Sequence, residues 1–254
     1  MPGNSRQSGR RHTSLRLPEP SQSPRLRIRA REDVVMLKPM SVADGKPSFL
    51  SLFRRKRERE RYDQASVYAV LDAAPFCHVA TVRRGRPVLL PMAHGRIGDR
   101  LILHGSPAAG LFRDTRQGSP VCVTATILDG LVLAGTARPH SMNYRSVTVY
   151  GTATLISAQR QILAGMRALI EHVTPGRWDD LPAPADFHIR ETALWQVEIA
   201  EASVEQQAGG PPGLAAGLAN PAWTGQLPVQ LSYGQPIGAD GLPAGTEPPD
   251  YSRR

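Results

Sequence analysis

The chain has 254 residues, 41% of them apolar, and a formal net charge of +9. Residues 1–61 hold 16 Lys/Arg against 6 Asp/Glu, a balance of +10, while residues 62–254 hold 15 against 16, so the part able to build a core is neutral and the charge is no sign of a nucleic-acid-binding core. No lysine follows Lys56, which excludes a pyridoxal Schiff base and a P-loop from residues 57–254, because both need a lysine amine.

The opening stretch, MPGNSRQSGRRHTSLRLPEPSQSPRLRIRAR, is rich in Arg, Ser and Pro and has no apolar period, so disorder is expected there. Its open readings are a polyanion-binding arm, a solvated tail, or a stretch upstream of a start at Met36 or Met40. Asp63 is expected to cap a helix over 64–73 that turns Val67, Val70 and Leu71 inward, with Pro75 ending it. Two β-prone runs, 76–82 and 87–92, flank Arg83-Arg84-Gly85-Arg86 and read as a hairpin. Gly98-Asp99 marks a turn before a strand at 101–104, and 107–117 reads as a helix. VCVTATIL (121–128) is the clearest strand, and Asp129-Gly130 predicts a tight hairpin into LVLAG. The donor-rich run from His140 to Arg145 reads as a loop before a strand at 146–156. A helix over 158–172 follows, capped by Ser157, with Ile162, Leu163, Met166, Leu169 and Ile170 on one face. ALWQVEIA (193–200) is the last strand expected. From Ala208 onward Gly and Pro dominate, which predicts an irregular tail. Six or seven short strands, two or three helices, no βαβ rhythm and no GxGxxG predict a mainly β protein built as a closed or half-closed antiparallel barrel.

Cys77 and Cys122 lie in strand-like runs without a partnering motif, so they read as buried thiols rather than as a zinc site or a disulfide. His78, mid-strand, reads as a hydrogen-bonded structural histidine. His94 and His104 end strands, where a barrel opens to ligands. His104-Gly105-Ser106 sets an imidazole, bare backbone and a hydroxyl before the expected helix, whose N-terminal N–H groups attract phosphate. Arg145 either takes a phosphate or carboxylate in two parallel hydrogen bonds or pairs with a surface acid, and Asn143 either donates to a ligand or merely turns the chain. A serine hydrolase lacks its GxSxG elbow. No apolar run approaches the roughly 18 residues needed to span a membrane, and the expected location is the cytoplasm.

Five stretches in order, YDQASVYAVLDAAPFCHVATVRRGRPVLLPM, GDRLILHGS, PVCVTATILDGLVLA, HSMNYRSVTVYG and EHVTPGRWDD, resemble the pyridoxamine 5′-phosphate oxidase-like flavin-nucleotide-binding proteins, relatives of the nitroimidazole-resistance proteins. The resemblance runs from about Arg57 to Glu205 and continues more thinly through WTGQLPVQL at 223–231. It implies an FMN-binding split barrel over 57–205, preceded by the Arg-rich extension at 1–56 and followed by a Gly/Pro-rich segment at 206–254. It also implies a homodimer with noncovalent FMN at its interface. The isoalloxazine would lie along the strand matching Val88–His94, with Leu90, Pro91, Met92 and His94 as its candidate contacts. The phosphate would sit near His104, Gly105 and Ser106, and His140, Ser141, Asn143 and Arg145 would form part of the pocket wall. Relatives place Ser and Arg where this chain has Ala109 and Gly110, and Arg113, one turn on, is the expected substitute. The implied activity is flavin-dependent oxidoreduction of a small organic acceptor. The alternatives are a non-catalytic flavin- or haem-binding module, a deazaflavin-using relative, and nucleic-acid binding through the N-terminal arm.

Overall fold

The computed structural model describes residues 59–105, 118–185, 192–211, 222–243 and 245–250. The expectations for the N-terminal extension and for a helix at 107–117 lie outside them. After a short β1 (Glu60–Arg61), α1 (Gln64–Ala73) forms where expected: Asp63 Oδ1 accepts from the Ser66 N–H at 2.8 Å, and Val67, Val70 and Leu71 are buried. β2 (Cys77–Arg83) and β3 (Arg86–Met92) make the expected hairpin. Its turn residues Arg84 and Gly85 both have positive φ, 48° and 72°, the signature of a type I′ turn. β4 (His94–Ile97) and β5 (Arg100–His104) follow, turned at Gly98. β4 was not expected, because HGRI carries too few apolar residues to show an alternating period.

β6 (Ser119–Leu133) corrects the hairpin expected at Asp129-Gly130, since it is one 15-residue strand. Its pairing with β7 (Ser141–Leu155) slips between Leu128 and Gly130, so Asp129 is the extra residue of a β-bulge. A type I′ turn would need positive φ at both positions, and neither Asp129 nor Gly130 has it. The loop expected at His140–Arg145 is corrected too, because β7 begins at Ser141 and carries most of that run in the ladder. α2 (Gln159–Val173) forms, but its N-cap is Ala158 and no side chain caps it, so Ser157 does not have the expected role. β8 (Leu194–Glu198) is not the last strand. β9 (Glu201–Gln207) pairs with β7, and β10 (Gly225–Pro228) pairs with β6 within the tail expected to be irregular.

All the pairings are antiparallel, and the hydrogen-bonded order is β3-β2-β6-β7-β8-β5-β4. The two ends of this path, β3 and β4, are consecutive in the chain with only Ala93 between them. Laid flat, seven strands would separate those ends by roughly 29 Å at the usual strand spacing. One linking residue cannot span that distance, so the sheet has to curl into a barrel that is split along the β3/β4 line.

β5 is buried on both faces, which explains its unbroken apolar run from Leu101 to Leu103, and β8 beside it buries Leu194 and Trp195 on opposite faces. Leu101, Leu103, Trp195 and Val197 point into the main core with Val79, Val123, Val147, Val149 and the buried residues of α1. Ile102 and Leu194 point the other way, to a second cluster with Ile156, Ile162 and Leu169 under α2. α2 lies so close to β4 that a Cβ on Gly95 would stand 2.7 Å from the Ala168 carbonyl carbon.

Candidate functional site

The split between β3 and β4 brings together three of the places singled out in the sequence. Met92 ends β3, His104 ends β5, and Gly105 follows it. A Cβ on Gly105 would lie 3.2 Å from Met92 Cε and 3.4 Å from the Trp195 ring, so these ends meet closely at Gly105 and a side chain there would have to displace the Met92 tip by a few tenths of an ångström. His104 is exposed beside a cavity of about 360 Å³ lined mainly by Ala93, Met166, Leu169, Ile170, Thr192 and Leu194. Ser106 and Arg113, the expected phosphate ligands, lie outside the described residues, as do Ala109 and Gly110.

His94 is not at the mouth. It is the first residue of β4, is wholly buried, and its Nε2 lies 2.9 Å from the Leu71 carbonyl. His172 of α2 stacks on it at 4.3 Å between ring centroids, with its own Nε2 2.8 Å from the Ala74 carbonyl. Both imidazoles therefore serve backbone acceptors at the C-terminal end of α1, where a helix leaves carbonyls unmet. The adjoining cleft of about 530 Å³ contains Asp72, Arg96 and Glu171. Arg96 holds Asp72 through two hydrogen bonds of 2.7 and 2.5 Å, and Glu171 accepts from the Gly176 and Trp178 N–H groups. These charges hold the chain together rather than face a ligand.

The run at 140–145 divides. His140 and Ser141 are exposed, and Ser141 Oγ accepts from Gln207. Asn143 is buried, and its Nδ2 donates to the Gly209 carbonyl at 3.1 Å and to Gln226 at 2.8 Å. Arg145 grips Asp129 with two hydrogen bonds of 3.0 and 2.7 Å, which raise its pKa further. Of the two readings open for Arg145, pairing with an acid is the one seen. These two side chains fix the bulge and the path of β10 rather than present donors to a pocket.

Leu90, Pro91 and Met92 lie on β3, an edge strand. Arg83 and Arg86 close the two-residue turn and so form a hydrogen-bonded pair, after which pairs alternate along the ladder. Val88, Leu90 and Met92 therefore point their backbone groups at β2. Cys77 Sγ lies 3.5 Å from the Met92 carbonyl, as that parity requires. Pro87, Leu89 and Pro91 turn theirs to the outer edge, which no other strand pairs among the described residues. Two of those three are prolines without an N–H. Leu89 is thus the one β3 residue with an N–H on that edge, and its side chain is 58% exposed. Leu89 lies within the strand along which the resemblance sets the ring but was not among its candidate contacts; two prolines four apart in a strand are the signal that sets it apart.

Among the described residues no cluster of three or more His, Cys, Asp or Glu could hold a metal ion, and no helix is long and apolar enough to cross a membrane.

A split antiparallel barrel with one proline-marked edge beside a narrow mouth is the class that fold and site define. The family model for pyridoxamine 5′-phosphate oxidase matches residues 63–206. The chain belongs to that family. The flavocytochrome Anf3 from Azotobacter vinelandii is 33% identical, covering 84% of this chain and 97% of its own, with a TM-score of 0.72. An FAD- and haem-binding protein from Mycobacterium smegmatis is 32% identical, covering 77% and 96%, with a TM-score of 0.69. A Bacteroides thetaiotaomicron protein with a proposed role in 5-nitroimidazole antibiotic resistance is 22% identical, covering 57% and 84%, with a TM-score of 0.50, a likeness of fold alone. No curated protein matches.

Proposed function

We propose that the chain binds a flavin nucleotide noncovalently at the β3 edge, as a homodimer, and uses it to pass electrons to a small organic acceptor. The observation that carries this reading is the outer edge of β3, where backbone groups and apolar Leu89 and Leu90 stand uncovered beside Met92, His104 and Gly105. A planar, partly polar ring system fits such a strip. The name of the Mycobacterium smegmatis relative favours FAD over the FMN expected from sequence, while that of Anf3 speaks only of a flavin with a haem. The phosphates remain assigned to His104–Ser106 and Arg113 by family resemblance. When bound, the flavin supplies hydride or single-electron transfer, and the protein orients it and sets its electrostatics. In this reading the backbone edge of β3 would hold the ring, and the apolar residues lining the 360 Å³ cavity would limit the access of water beside it.

A second reading, haem beside the flavin, is favoured by the same two names. Haem needs an accessible axial donor. His104, exposed at an aliphatic cavity, fits that need, whereas the sealed His94 does not.

An absorption spectrum of the purified protein tests both readings. A flavin spectrum, alone or with a haem band, and bleaching by NADPH that a nitroaromatic acceptor reverses are expected. A colourless protein that gives no calorimetric binding with FAD or FMN overturns the proposal.

A further inference from the structure

We infer that the 360 Å³ cavity between α2 and the paired ends of β5 and β8 seats the electron acceptor, and that it takes an uncharged ring compound in preference to a charged one. The inference rests on the flavin reading above and names the class of acceptor. His104, the last residue of β5, and Leu194, the first of β8, are partners in the ladder and form one wall. Ala93, which links β3 to β4, also lines the cavity, so this wall reaches the split beside the β3 edge. The volume falls within the roughly 300–1,000 Å³ usual for small-molecule sites.

The opposite wall is α2, whose apolar face is wider than the core beneath it requires. Ile162 and Leu169 are buried in the second cluster. Met166 and Ile170, one turn apart, stay half-buried and Val173 is exposed, and all three face the cavity. The charges on this half of the helix are engaged elsewhere, Arg167 with Asp179 and Glu171 with the Gly176 and Trp178 N–H groups. Among the described residues the lining holds no Arg, Lys, Asp or Glu, and its polar side chains are those of His104, Thr174 and Thr192. An ion entering the cavity would give up water without gaining a counter-charge, a cost that a neutral ring escapes. Haem held by His104 would fill the same space, so that reading and this one exclude each other.

Calorimetric titration of the full chain with 4-nitrobenzyl alcohol, 4-nitrobenzoate and 4-nitrobenzylammonium tests the point, since the three share one ring and differ in charge. The alcohol is expected to bind about tenfold more tightly than either ion. Ile170→Asp sets a carboxylate on the cavity wall and should reverse the order of the alcohol and the ammonium. Ile170 is half-buried, so circular dichroism should report a folded barrel. If the variant does not fold, the ranking of the three probes on the parent chain decides alone. Equal affinity for the three, no binding of the alcohol, or an unchanged ranking in folded Ile170→Asp overturns the inference and leaves flavin binding standing. A haem band in the purified protein that disappears in His104→Ala also overturns it. A chain that binds no flavin overturns both.

Discussion

At the scale of single residues, two of the candidate side chains, those of His94 and Arg145, are spent on the fold: His94 Nε2 lies 2.9 Å from the Leu71 carbonyl and Arg145 Nη2 donates to Asp129 at 2.7 Å. His94 and Arg145 were candidates because their side chains are chemically versatile, and both prove to be committed to the chain's own backbone or acids. Composition cannot reveal this, since the partners Leu71 and Asp129 stand 23 and 16 residues away. The thiols were easier to read. Burial pushes the pKa of Cys77 up to about 12 from 9.0, and burial raises Cys122, Tyr144 and Tyr150 as well. A raised thiol pKa means that the folded state holds its proton while the unfolded chain gives it up. Stability is therefore complete below pH 9 and falls as pH rises through about 12. Urea unfolding between pH 7 and pH 11, a range chosen to bracket the roughly 8.5 of an ordinary thiol, should show that decline, and Cys77→Val should flatten it. An unchanged profile in the variant would mean that Cys77 is solvated.

At the scale of elements, the helices and the β2–β3 hairpin were legible because cap, turn and period agree locally. β4 and β9 were not: HGRI shows no apolar alternation, and β9 takes its place from β7, far earlier in the chain. The Asp129-Gly130 signal misled for a related reason. The long partner strand β7 keeps β6 straight through the site, and β10 docks there, with the Val229 N–H donating to the Asp129 carbonyl at 3.1 Å. Gly95 carries the sharpest expectation at this level. Its hypothetical Cβ meets backbone of α2 rather than a movable side-chain tip. Gly95→Ala should cost about 1–3 kcal/mol in chemical denaturation, the usual penalty for overpacking. A negligible loss would show that α2 slides freely over β4.

For the whole molecule, the split barrel was recognisable from five ordered stretches, while the strand edge in the candidate site was not, because backbone groups have no letter in the sequence. The proposed homodimer belongs at this scale. Leu231, Tyr233, Ile237 and Leu242 follow β10 with exposures of 72%, 58%, 96% and 52%, and Trp223 before it is 63% exposed. So many large apolar groups outside one barrel mark a surface for association. Light scattering at micromolar concentration should give twice the mass of one chain. Leu231→Asp combined with Ile237→Asp should shift the population towards single chains. A single-chain mass for the parent protein would remove the dimer.

Ala93, the sole residue between the two open edges of the barrel, bears on how the molecule folds. Closing a loop costs entropy that grows with its length, and here the two edges are joined before any folding begins. Two local hairpins, β2–β3 and β4–β5, can form early on either side of this joint. β6 and β7 can pair locally too, so the slow search falls instead to the β2–β6, β5–β8 and β7–β8 pairings, whose strands lie far apart along the chain. Lengthening the joint with flexible residues should therefore slow folding more than it weakens any contact in the finished barrel.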